Sequence, residues 1–330
     1  MTIIFLKYSE IDKKKWDNCI RQSSYPTIFA DYDFLTDASP EWCALIAGDY
    51  EYVMPLPTRI KLSIKYVYTP FQFSRLGIFS VHPVTPTLVK EFIEAIPLQY
   101  KQIDLHLNQH NPPLLIEEES IQLISHQLDL HAEYETLYSN FSENTKRNIK
   151  SAEKYNLRIT SDITLDEIVD LFQHNRGMSK TIKIKKRDYR LFLKIAEYAL
   201  QHQFLELIGV QDIDGRLLAG ACFLKDYDRR WFWFSGRDNK KSQKKAMFFL
   251  ISEYLKREQK QPLILDFDGS MNQNIARFYQ GFGATRYSYP MLCFSRRFYL
   301  QKLIKLYKAI RDKEPIFPKL TVQHHDFLKK

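Results

Sequence analysis

"LDFDGSMNQNIARFYQGFGATRYSYP", residues 265–290, decides the fold. Two aspartates precede a Gly-Ser turn. An amphipathic run, an FGA turn and a second apolar-aromatic run follow. In "LILDFD", strand alternation puts Ile264, Asp266 and Asp268 on one face and Leu263, Leu265 and Phe267 on the other. In "NQNIARFYQGF", Ile275, Phe278, Tyr279 and Phe282 recur at i, i+3, i+4 and i+7, a helical stripe. The stretch therefore reads as strand–helix–strand. It is not a phosphate loop, since the chain holds no G-x-G-x-x-G and no G-K-[ST].

Strands and helices alternate on the way into this stretch. "YETLYSNFSENTKRNIKSAEKYNLRITSD" reads as a helix feeding a strand, and "TLDEIVDLFQHN" and "KRDYRLFLKIAEYALQ" as helices. Three strands follow: "LELIGVQDI", "RLLAGACFLKDY" and "RWFWFSGR", the first two joined at Asp214-Gly215. "KKSQKKAMFFLISEYLKREQ" is an amphipathic helix beginning near Lys240. The first half is a shorter version of the same order, with a hairpin signal at Gly48-Asp49 and "YEYVMPLPTRI" as one long strand. We read α/β (α+β) architecture as two tandem units, 1–131 and 132–300, each a mostly antiparallel sheet flanked by helices. A basic helix and tail occupy 301–330.

A chain of 330 residues favours two domains over one. The first residues, "MTIIFLKYSEIDKKKW", have too short an apolar run for a signal peptide, and no 18-residue apolar stretch spans a membrane. The expected location is the cytoplasm. Cys19, Cys43, Cys222 and Cys293 form no C-x-x-C pair, so they read as small core residues, and no metal site is expected. The net charge of +9 favours an anionic partner, or a basic surface kept for solubility.

The second half resembles the GNAT acyltransferase superfamily. Its closing helix is similar to an N-x-x-A-x-x-x-Y pattern ending in a G-F-x turn, carried here by Asn272, Asn274, Ala276, Tyr279, Phe282 and Gly283. The tandem layout, with "TKRNIKSAEKYNL" opening the second unit and "TPFQFSRLGIF" in the first, resembles the Fem-like tandem-GNAT family. That family includes peptidyltransferases that carry amino acids from aminoacyl-tRNA to peptidoglycan precursors. The resemblance implies transfer of an acyl group from an acyl-coenzyme A donor to an amine through a ternary complex. It also implies two rivals: an aminoacyl-tRNA-dependent ligase acting on a cell-wall precursor, and a binding module without catalysis.

The resemblance makes Tyr279 the acid that reprotonates a leaving thiolate; its helical stripe equally suits a core tyrosine. Fem-type enzymes carry a lysine in the F-x-x-x-F-G context where Tyr279 stands here, so ordinary acyl transfer is favoured. Asp266 or Asp268 could take the amine's proton if burial raised its pKa, or simply cap the turn. The resemblance places Arg237, Lys244, Lys245 and Asn274 at the donor. The usual Gly-rich turn is replaced by a lysine run, Lys240, Lys241, Lys244 and Lys245, which reads equally as a solvated face. Lys146 and Arg147 at a helix start and Arg75 in "FQFSRLGIF" are candidate substrate clamps. Trp231 lines a tunnel or packs a core, with Trp233 on its face and Phe232 and Phe234 opposite.

Overall fold

Strands far apart in the chain pair with one another, and this sets the architecture. The computed structural model describes residues 1–296 apart from 62, 114–119, 176–183, 185, 241–243 and 270. Lys241 and the basic helix expected from 301 onward lie outside the described residues. A four-stranded antiparallel sheet runs β1 (Ile3–Lys7), β2 (Cys43–Ala47), β3 (Tyr52–Leu56), β6 (Phe79–Ser80). A ten-stranded sheet runs β4 (Thr58–Lys61), β5 (Ile64–Tyr68), β7 (Tyr100–His106), β14 (Thr285–Ser295), β8 (Ser120–Asp129), β13 (Ile264–Asp266), β12 (Arg229–Arg237), β11 (Leu217–Lys225), β10 (Leu205–Gln211), β9 (Arg158–Thr160). Within it, β5 and β7 are parallel, as are β12 and β13; the other pairs are antiparallel. Because β14 inserts between β7 and β8, the larger sheet is continuous through both tandem halves.

The Gly48-Asp49 hairpin forms between β2 and β3, with Gly48 at φ +63. "YEYVMPLPTRI" is not one strand. Pro57, which has no N–H to give a ladder, separates β3 from β4, and the two join different sheets. "YETLYSNFSENTKRNIK" is likewise two helices, α4 (Tyr134–Ser139) and α5 (Glu143–Glu153). Ser142 caps α5 by accepting from the Thr145 amide at 3.2 Å. The helices α6 (Leu165–Gln173), α7 (Lys186–Gln201) and α9 (Gln273–Gly281) fall where periodicity puts them, and α1 (Lys13–Gln22), α2 (Tyr32–Ala38) and α3 (Pro86–Ala95) belong to the first half. The helix α8 spans Ala246–Glu258, so it begins six residues after Lys240.

One apolar core joins the halves. Phe29, held beside Phe73 (centroids 5.3 Å apart), packs on Trp231 at 5.2 Å, and Phe192 packs on Trp233 at 5.0 Å. A second core fills the space among α5, α8, α9 and the sheet, where Phe223 stacks on Tyr254 at 3.7 Å. The strand "RWFWF" departs from simple alternation. Cys222 faces Phe234 while Phe223 faces Phe232, so Trp233 is an extra residue, a bulge. The bulge returns Phe234 to the tryptophan side, where it packs on Phe192 at 4.6 Å, while Phe232 faces the second core.

Gly236 lets α6 lie directly on β12. A Cβ there would stand 2.5 Å from the Phe172 amide nitrogen and 2.6 Å from the Ile168 carbonyl oxygen. Both are helix backbone and cannot step aside. Gly236→Ala should therefore lower unfolding free energy by about 1–3 kcal/mol in urea titration. An unchanged midpoint would refute this packing.

Candidate functional site

Arg75 is the first site residue to place, because its guanidinium is fully buried. It sits in the loop between β5 and β6 at φ +54, a left-handed backbone that costs a non-glycine residue energy. Its Nε and Nη2 donate to the Tyr287 hydroxyl at 3.0 and 2.8 Å, and Nη1 donates to Ser74 Oγ. The ring of Tyr289 lies 3.5 Å from its central carbon. Asp268 stands 3.4 Å from Nη1 and Asp266 3.9 Å from Nη2. The two aspartates of the opening stretch thus converge on one arginine from the other half of the chain.

Their roles differ. Asp266 is fully buried at the end of β13. It accepts from Tyr287 Oη at 2.5 Å, Ser125 Oγ at 3.1 Å, Arg229 Nη1 at 3.3 Å and the Asp268 amide at 3.1 Å. With both oxygens engaged, Asp266 is a fixed counter-ion and turn acceptor, not the open base expected from the sequence. Asp268 keeps 13% side-chain exposure and accepts from Ser74 Oγ at 3.1 Å. Its backbone leaves the strand at φ 35, so turn geometry rather than continued alternation brings it beside Asp266. Burial raises its pKa, against the lowering influence of Arg75 and the Ser74 hydroxyl. Asp268 is the carboxylate of this pair that keeps some side-chain exposure.

The remaining candidates separate into three places. Trp231 is fully buried beside the cluster and gives its indole N–H to Asp226 Oδ2 at 2.8 Å, so it is core and not a tunnel wall. Tyr279 is 7% exposed, stacked on Phe267 at 4.5 Å and edge-on to Phe232 at 6.2 Å. It is a core tyrosine in this arrangement. Lys146 donates to the Ser139 carbonyl and to Glu143, each at 3.1 Å, while Arg147 is exposed on α5 and Asn274 on the first turn of α9, just after the Asn272 cap.

The residues expected at a donor divide. Arg237 and Lys245 line a cleft of about 250 Å³ with Leu218, Asp238, Ala246, Met247 and Phe248. The cleft lies where α8 opens, and α8 has no side-chain cap; Lys245 at its N-cap has φ 53. The first amides of such a helix present partial positive charge. Lys244 turns away and ion-pairs with Asp212 at 2.8 Å, and its ammonium holds that carboxyl below the usual range. The helix starts too late for Lys240 to stand at its first turn. Between the cleft and Asp268, the sheet opens. The β12–β13 pairing covers Arg229–Trp231 with Ile264–Asp266, and β12 then runs on to Arg237, about 20 Å at strand rise, unpaired on that side among the described residues.

Arg229, Tyr287, Ser74, Ser125 and His106 were not read as site residues. Arg229 and Trp231 share one strand face, as do Tyr287 and Tyr289, so a charge and hydroxyls on apolar faces were the available signal. Among the described residues no group of three or more His, Cys, Asp or Glu is placed to hold a metal. No helix among them is long and apolar enough to cross a membrane.

Removing the Arg75 charge takes from Asp268 the arginine paired with it and leaves Asp266 with Arg229 alone. Arg75→Met should cost about 3–5 kcal/mol in urea unfolding, and adding Asp266→Asn should restore part of it. Strict additivity of the two would show that they do not interact. His106, beside Tyr289 at 6.0 Å, has its pKa pushed down to about 3 by burial and by Arg75. The unfolded imidazole binds its proton near 6.5, so between these values the unfolded state holds more protons and stability falls as pH drops. His106→Phe should make that acid loss shallower when stability is compared at about pH 7 and about pH 4. An identical slope would contradict a neutral buried ring.

No family model and no curated protein matches the sequence. Solved structures match in fold. A crystal structure of FemX superimposes with a TM-score of 0.63 at 11% identity, over 92% of this chain and 100% of that one. The C-terminal domain of a putative lysylphosphatidylglycerol synthetase from Agrobacterium fabrum gives 0.53 at 11% identity, over 92% and 97%. L-PGS from Bacillus licheniformis gives 0.51 at 10% identity, over 91% and 97%. At such identities the likeness speaks for architecture alone, and it agrees with the two mostly antiparallel sheets and the strand–helix–strand closure described above: the chain has the Fem-like GNAT fold.

Proposed function

We propose that this protein is a transferase that moves an acyl group from a coenzyme A-type donor to an amine. The observation that carries the reading is the cleft at the start of α8, with Arg237 and Lys245 on its wall and the unpaired length of β12 leading from it toward Asp268. A donor's phosphates match the cations and helix amides. An extended arm fits the gap between β12 and the end of β13, which is where open α/β sheets take ligands.

The chemistry then follows from the groups on that path. The amine attacks the thioester carbonyl, the C–S bond breaks with its electron pair leaving on sulfur as the coenzyme A thiolate, which takes a proton from solvent, and the amine loses a proton. Asp268, accessible and with a raised pKa, takes that proton. Arg75 and Ser74 hold its carboxylate in place. Lys146, Arg147 and Asn274 are left as outer contacts for donor or acceptor. A second reading, with an aminoacyl group as the cargo, is favoured by the fold shared with the putative lysylphosphatidylglycerol synthetase.

Calorimetry with coenzyme A and acetyl-coenzyme A, at low and physiological salt, tests the donor. Binding should weaken about tenfold or more with Arg237→Glu and Lys245→Glu together, as expected when two cations face a phosphate. Binding of aminoacyl-tRNA and not of coenzyme A would move the assignment to the second reading. Binding of neither would leave a module without catalysis and refute both.

A further inference from the structure

We propose that the rim built from β4, β5 and the segment before β7 docks on an anionic lipid surface. Two large apolar side chains stand out from this rim, Ile60 at 63% exposure and Leu98 at 73%. They are neighbours in space. Ile60 pairs with Lys65 across β4–β5, and Lys65 pairs with Tyr100 across β5–β7. Two strand spacings put Ile60 about 10 Å from Tyr100, and Leu98 lies two residues before it.

Cations surround the two side chains. Lys65 is exposed and reaches Gln99 Oε1 at 3.3 Å, and the Lys101 ammonium rests on the Leu98 carbonyl at 2.5 Å. Of the acids on α3 nearby, Glu94 is paired with Lys90. The chain also leaves the described structure here. Arg296 donates from Nη1 to the Ile96 carbonyl at 2.8 Å, from Nη2 to the Ile93 carbonyl at 3.3 Å, and from its amide to the Lys101 carbonyl at 3.0 Å. Arg296, the last described residue, is therefore held beside this rim. From there the sequence "RFYLQKLIKLYKAIR" carries Arg297, Lys302, Lys305, Lys308 and Arg311, with no acid, and apolar residues at 300, 303, 304, 307 and 310.

Charge complementarity names the occupant. Exposed aliphatic side chains set among cations match the zone where anionic headgroups meet acyl chains. The net charge of +9, which the donor cleft does not account for, has a use on this face. The inference does not rest on the donor reading.

The test is sedimentation of the full chain with vesicles of phosphatidylglycerol and phosphatidylcholine, against vesicles of phosphatidylcholine alone. The chain should partition to the anionic vesicles, and less so as salt rises. Lys65→Glu and Lys101→Glu should each lower partition about fivefold or more. Ile60→Ser with Leu98→Ser should lower what survives at high salt. Circular dichroism will show that these surface variants stay folded. Equal partition to neutral vesicles, no partition, or full retention by all three variants overturns the proposal. So does binding of an RNA oligonucleotide through the same residues with no affinity for vesicles.

Discussion

A guanidinium wholly removed from water must be met by charge and hydrogen bonds, and in this protein all that meets Arg75, apart from the neighbouring Ser74 hydroxyl, comes from elsewhere in the chain. Asp266 ends β13, Asp268 follows it, and Tyr287 and Tyr289 stand on β14. The arginine itself lies in the first half, before β6. Neutralising it therefore requires that the last strand–helix–strand unit be seated against the first half in one register. Arg229, from β12, shares Asp266, and its central carbon lies 4.8 Å from the Tyr25 ring. The left-handed backbones of Arg75 and Asp268 are held by this network, which gives each of them a partner in return for the strain.

The same cluster separates structural from chemical duty. Asp266 and Asp268 are two residues apart and face one arginine, yet Asp266 has its oxygens engaged by four donors while Asp268 keeps an open side. The turn at Gly269, with φ +84, carries the chain away from the strand so that the second carboxylate stops at the edge of the cluster. Meanwhile β12 outruns β13 and leads to the cleft at α8. A rigid charged centre, an opened sheet and a cationic cleft thus lie along one path, each placed by the length of a strand.

Much of the fold was legible. Period-two and period-3.6 apolar patterns depend on local geometry alone, so β10–β12, α6, α7 and α9 could be read directly, and Asp214-Gly215 marked its turn through Gly215 at φ +76. The pattern failed where a local irregularity changed the count. The Trp233 bulge moved Phe234 to the other face, Pro57 sent β3 and β4 to different sheets, and Ser142 split one helical run into two.

The sequence by itself determined most of the element order, the strand–helix–strand closure, the excess of positive charge and part of the set of residues able to do chemistry, because each is a property of neighbours in the chain. It could not say that Arg75 is spent inside the protein, that Lys244 belongs to Asp212 while Lys245 lines a cleft, or that Tyr279 is packed in a core. Those outcomes depend on which groups meet across long separations and on how much water they keep. Only the tertiary structure decides that, because desolvation and pairing are properties of the packed neighbourhood and not of the residue.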